Sequence, residues 1–180
     1  MSGARASVAI GVTVAVGLAV AAGAKAGAEK VAYPEGYQGG FVLYNQVDRP
    51  DRKIVRFMYA NPDAVERARP GEPLPHGTVL IMEDHKARLE GERVATDAQG
   101  RLVPTDEVTN VFVMEKQPGW GAEYPPEKRN GEWEYAQFLP DGARKADARF
   151  DGCFACHLSR EVRDYTFTFA KYVLDGKPRH

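Results

Sequence analysis

Hydrophobic and polar residues exchange places along this chain at short intervals. After an entry segment, AYPEGY (32–37), five runs rich in branched and aromatic residues recur: FVLYNQV (41–47), KIVRFMY (53–59), TVLIMED (78–84), NVFVMEK (110–116) and EWEYAQF (132–138). Each has strand length and is bounded by turn formers such as Asp48-Arg49-Pro50, Gly77, Pro118-Gly119, Asn130-Gly131 and Pro140-Asp141-Gly142. In the third run, alternation puts Thr78, Leu80 and Met82 on one side and Val79, Ile81 and Glu83 on the other. Asn61-Pro62-Asp63 ahead of AVERAR has the marks of a helix start: a capping Asn, a first-turn Pro and an early acid. The polar stretch 84–108 reads as a long hairpin or loop. The pattern predicts an α+β fold, mainly an antiparallel sheet of about five strands with flanking helices, in one domain.

The first residues follow another rule. Arg5 is the only charge before an apolar run, Val8 to Ala22, which is too short to span a bilayer and long enough for a secretory leader. Ala24-Lys25-Ala26 and Ala26-Gly27-Ala28 both fit the small-x-small cleavage rule. The expectation is a signal peptide over 1–28, a single domain over 29–180 and a periplasmic location. Removing 1–28 takes Arg5 and Lys25 from the 24 basic side chains and none of the 25 acidic ones, so the formal charge falls from −1 to −3. Nothing in that balance suggests a nucleic-acid or anionic-membrane partner. With 43% hydrophobic and 27% charged residues, 180 residues suffice for a genuine core.

Both cysteines of the chain lie in GCFACH (152–157), two residues apart and followed directly by His157. C-x-x-C-H is the attachment signal of c-type haem. Two thiols one turn apart reach the two vinyl groups of one porphyrin, and the next imidazole takes the proximal iron position. A thioredoxin-like reading needs a βαβ setting that the flanking segments lack, and a zinc reading needs ligands that His76, His85 and His180 do not supply at a suitable spacing. The expected cofactor is therefore one haem c, bound near the C-terminus by Cys153 and Cys156 with His157 on iron.

YPEGY (33–37), IVRFMYAN (54–61), HGTVLIME (76–83), NVFVMEK (110–116), GEWEYAQF (131–138), CFACH (153–157) and DYTFT (164–168), in that order, resemble the cytochrome P-460 and cytochrome c-prime-beta family. The resemblance implies a homodimer of small antiparallel β domains, each with one haem whose distal side is covered by strands. In the P-460 branch a lysine on the strand after the Gly-Thr-Val turn cross-links to the porphyrin and underlies hydroxylamine and nitric oxide oxidation. The matching position here is Met82, whose thioether cannot replace that amine. In the c-prime-beta branch an apolar distal side leaves iron open to NO or CO. Met82 sulfur is a soft ligand suited to low-spin iron, and His/Met ligation belongs to electron carriers; the plainer use of a strand methionine is core filling, with Met58 and Met114 as competing sulfurs. Arg56 matches a family arginine near the distal pocket, where it can meet a propionate or a ligand, or else form a salt bridge. Phe112 shares a strand face with Met114 and is a candidate lining residue. Trp133 and Tyr135 read as sheet packing, His76 and His85 as surface residues, and Lys116 as lying too far along its strand for the cross-linking role.

The reading that follows is an exported mono-haem cytochrome with His157 and Met82 on iron, passing single electrons to redox partner proteins rather than acting as an enzyme. A gas-binding protein with an open distal site is the second reading, and a hydroxylamine or nitric oxide oxidase the third.

Overall fold

The computed structural model describes residues 27–177. Of the expected leader, all but Gly27 and Ala28 lies outside the described residues. In chain order the elements are a short helix α1 (Tyr37–Gly40), β1 (Val42–Arg49), β2 (Ile54–Ala60), α2 (Pro62–Arg67), β3 (Val79–Ala87), the two-residue strands β4 (Leu89–Glu90) and β5 (Arg93–Val94), β6 (Pro104–Lys116), β7 (Trp133–Phe138), α3 (Asp151–Leu158) and α4 (Phe169–Leu174). β1, β2, β3, β6 and β7 form one sheet in that order, every neighbouring pair antiparallel. The expected α+β fold with a five-stranded antiparallel sheet is what the chain adopts.

Register fixes which residues share a face. The cross-sheet row Asn45, Met58, Met82, Phe112, Gln137 runs through paired positions on all five strands. On that face Tyr44, Ala60, Leu80, Met114, Trp133 and Tyr135 pack with Phe154 of α3 and Phe169, Tyr172 and Val173 of α4. The other face buries Tyr59, Ile81, Val111, Val113, Ala136 and Phe138 against the N-terminal segment through Val31 and Tyr37. Covering on both faces is why the strands read as nearly continuous apolar runs rather than clean alternation. Fully burying an aromatic such as Trp133 makes its truncation cost about 3–5 kcal/mol.

Three details depart from expectation. The segment 84–108 is not one loop: β3 runs on to Ala87, β6 begins at Pro104, and β4 and β5 form a small hairpin between them. These strand ends carry polar side chains, so backbone pairing extends past the point where hydrophobicity signals it. His85 is consequently a half-buried strand residue, not a surface one. Asn61 precedes α2 as expected but its side chain does not cap it; its amide instead donates to Gly77 carbonyl (3.0 Å) and its side-chain oxygen accepts from Val79 N–H (2.9 Å), fixing the entry to β3.

Candidate functional site

The C-x-x-C-H segment is helical. Asp151 in the first turn complements the helix dipole. The helix stops at Ser159, whose hydroxyl donates to Cys156 carbonyl at 2.8 Å. Cys153 and Cys156, one turn apart, lie on one side of α3 and are not joined in a disulfide. Phe154, by contrast, is buried between Tyr124 and Tyr135 and anchors the helix to the sheet. Tyr135 hydroxyl donates to Asn130 (2.9 Å), whose amide donates to Phe154 carbonyl (3.2 Å), so strand and helix are tied twice. Burial raises the Cys153 thiol above its ordinary value, and Cys156 adds to this.

His157 is held from three sides. Its ring meets Tyr135 and Phe167 edge-on, with centroids 5.2 and 5.1 Å away. Its Nδ1 lies 2.6 Å from Tyr165 carbonyl, an acceptor only, so Nδ1 carries the proton and Nε2 keeps its lone pair for a metal. Burial lowers its pKa, which favours the neutral, ligating form. The carbonyl that orients it sits in a tight connection: Asp164 and Tyr165 both have positive φ, 48° and 60°. Each such non-glycine conformation costs on the order of 1–3 kcal/mol and persists only where its surroundings hold it. Here Asp164 accepts from Lys116 Nζ (2.7 Å) and Leu74 N–H (2.9 Å), and Tyr165 lies over Gly131, where a Cβ would come within 2.9 Å of its ring. Lys116 therefore serves the site at second hand, and its other contact is Leu74 carbonyl at 2.9 Å.

The remaining candidates divide by strand position. Met82 and Phe112 are direct cross-strand partners on the face that α3 and α4 cover. Met114 is buried core, whereas Met58 packs beside the core with its sulfur 3.3 Å from Thr168 hydroxyl. Met82, Phe112 and Phe167 are half-buried, and none of them joins the apolar clusters of the described residues. These apolar side chains are only partly covered by the described residues. Arg56 lies on the same face one row away and is buried, its guanidinium clamped by Asp84 through two hydrogen bonds of 2.6 and 2.8 Å. A different arginine has donor capacity to spare. Arg160, three residues past His157, stacks over Phe167 at 4.6 Å, and its Nε is buried without a hydrogen-bond partner.

These residues fit a haem: two neighbouring thiols, an imidazole with a free Nε2, half-exposed apolar side chains, and an orphaned cationic nitrogen suited to a carboxylate edge. Two cavities, of about 460 and 1100 Å³, lie elsewhere, and neither is lined by Cys153, Cys156, His157 or Met82. The larger borders the opposite side of α3 through Phe154, Ala155 and Leu158. Tyr135, Phe167 and the Asp164–Tyr165 turn were not singled out as site residues from sequence; among the family-like segments, GEWEYAQF contains Tyr135 and DYTFT contains the others.

An antiparallel α+β domain carrying this donor set defines a haem protein. The profile of the family described as Cytochrome P460 matches residues 34–168, and the chain belongs to that family. A search of curated proteins gave no match.

Proposed function

We propose that the protein is an exported c-type cytochrome that carries one electron at a time, with haem joined through thioethers to Cys153 and Cys156 and with His157 and Met82 as axial ligands. The observation that carries the reading is Met82: a half-buried thioether beside Phe112, outside every apolar cluster, on the sheet face that also packs against the His157 helix. Haem supplies reversible one-electron iron chemistry. The protein's own part is to fix the imidazole through Tyr165, to present a soft sulfur, and to exclude water with Phe112, Phe167 and Met58. Arg160 is the better partner for a propionate, because Arg56 is already committed to Asp84.

The row Asn45, Met58, Met82, Phe112, Gln137 contains no titratable group. The nearest carboxylate on that face, Asp84, is already committed to Arg56, and Met82 stands where the oxidising branch carries its lysine, which disfavours the oxidase reading. The apolar surroundings of Met82 keep gas binding as the second reading, since NO or CO needs only a displaceable sulfur. Export rests on the leader pattern, and a homodimer and redox partner proteins on the family likeness.

A visible spectrum tests the assignment. Ferric protein is expected to show the weak far-red band of sulfur-ligated haem, and Met82→Ala to abolish it and, once reduced with dithionite, to give high-spin ferrous iron that takes up CO. A Met82→Ala spectrum identical to that of the unaltered protein overturns the ligation.

A further inference from the structure

Glu134, on the sheet face away from α3, is fully buried. One carboxylate oxygen accepts from Tyr124 hydroxyl at 2.9 Å; the other, Oε1, has no hydrogen-bond partner among the described residues. Gly27 lies directly against it. A Cβ at position 27 would stand 2.7 Å from Oε1 and 2.9 Å from the carboxyl carbon, so any larger residue would have to push the Glu134 carboxylate aside, and Gly27 nitrogen donates to Tyr124 hydroxyl. The residues that follow are fastened down: Arg144 donates to the carbonyls of Ala28 and Val31, and Lys30 pairs with Glu123. The charged groups facing Glu134 are thus Lys30, already paired, and two further acids, Glu29 and Glu123. A buried carboxylate oxygen with no donor is costly, and nothing in place offers it a cation.

We infer that the mature chain begins at Gly27, and that its terminal ammonium is the missing partner of Glu134. An amide nitrogen at position 27 has one hydrogen, committed to Tyr124. Hydrolysis of the Ala26–Gly27 bond adds water across it, leaves a carboxylate on Ala26 and converts the Gly27 nitrogen to an ammonium. That group has three hydrogens and a full positive charge, enough to keep Tyr124 and reach Oε1. Ala24-Lys25-Ala26 supplies the small-x-small site immediately before this bond. Cutting two residues later, at the boundary expected after Ala28, would discard Gly27 and bring Glu29, another acid, to the terminus. Without the ammonium, burial pushes the Glu134 carboxyl up to about 7.

The inference rests on the export reading, and the test separates the two. The full-length precursor is produced in a secreting bacterium that assembles c-type haem, and the purified protein is N-terminally sequenced. Gly-Ala-Glu-Lys is expected. A start at any residue other than Gly27 overturns the inference alone; a protein that keeps Met1–Ala26 and is recovered only from the cytoplasm overturns export with it. The ion pair is tested by acylating the terminal amine at neutral pH with limiting acetic anhydride, read by mass of the N-terminal peptide. The amine is expected to react at least about tenfold more slowly than in Glu134→Gln, which keeps the shape and removes the charge, because one unit of added basicity is a tenfold loss of free amine. Equal rates overturn the pairing.

Discussion

The two faces of the sheet bury their polar groups in different ways. On the face away from α3, Glu83 is almost wholly enclosed and still fully satisfied: Tyr37 and Tyr59 hydroxyls, Gln38 amide and His85 Nε2 all point at its carboxylate. His85 has acceptors at both nitrogens, Glu83 at 2.6 Å and Thr105 carbonyl at 2.8 Å, so its ring carries both protons. On the α3 face the middle row has no buried charge: half-buried Met82 and Phe112 lie beside Met58, with the amides Asn45 and Gln137 at its two ends. The Glu83 network is complete in the polypeptide alone, while the middle row of the other face leaves half-buried apolar side chains that a cofactor can cover. The contrast teaches that partial burial of apolar strand residues, more than any cavity, is what sets the α3 face apart.

Ways to break that contrast begin with the covalent link. Cys153→Ala combined with Cys156→Ala is expected to abolish haem retention after acid–acetone extraction, and either single change to weaken it; a double variant that still holds haem through extraction contradicts thioether attachment. Next comes the second-hand support of His157. Lys116 and Asp164 are a buried pair, with side chains 7% and 14% exposed, so removing one alone leaves an uncompensated charge and costs about 3–5 kcal/mol. Lys116→Ala is therefore expected to lower the thermal midpoint strongly. It should also release the Asp164–Tyr165 turn, which near-infrared or magnetic resonance spectra of the haem would report. A midpoint within a degree of the unaltered protein contradicts this role.

Much of this arrangement was legible in the sequence, for definite physical reasons. The five long strands announce themselves because both faces are covered and branched and aromatic residues dominate. GCFACH is equally plain, because its spacing is dictated by its chemistry. The extension of β3 to Ala87 is not, since backbone pairing there carries Asp84, His85 and Lys86 as side chains. Nor are Tyr135 and Phe167 as walls around His157, or Lys116 as the anchor of Asp164, 48 residues away. These depend on contacts between segments distant in sequence, which periodicity does not encode. Arg56 shows the same limit: its strand face was readable, its clamp by Asp84 was not.

The smallest expected effect lies in the Glu83 network. Burial alone would raise the Glu83 carboxyl, but donors from His85, Tyr37 and Gln38 outweigh it and hold the group below its ordinary value. The hydrogen bond to Glu83 raises His85 against the opposing effect of burial. A raised histidine stabilises the fold fully below its unfolded pKa of about 6.5 and loses that contribution as pH rises through the folded value. A lowered carboxyl stabilises above its unfolded value of about 4.3 and loses that contribution as pH falls through the folded one. The pair therefore contributes most between about pH 4.3 and 6.5. Denaturant unfolding of Glu83→Gln across pH 4 to 9 is expected to lose that maximum by about 1 kcal/mol, the size of an ordinary pKa shift. An unchanged pH profile would place the network outside the stability of the fold.

The most direct measurement is the intact mass of the purified, acid-denatured protein. The account predicts a single species heavier than the mature polypeptide by one haem, since thioethers survive unfolding. A mass equal to the bare polypeptide, from protein that was coloured before denaturation, would contradict attachment through Cys153 and Cys156.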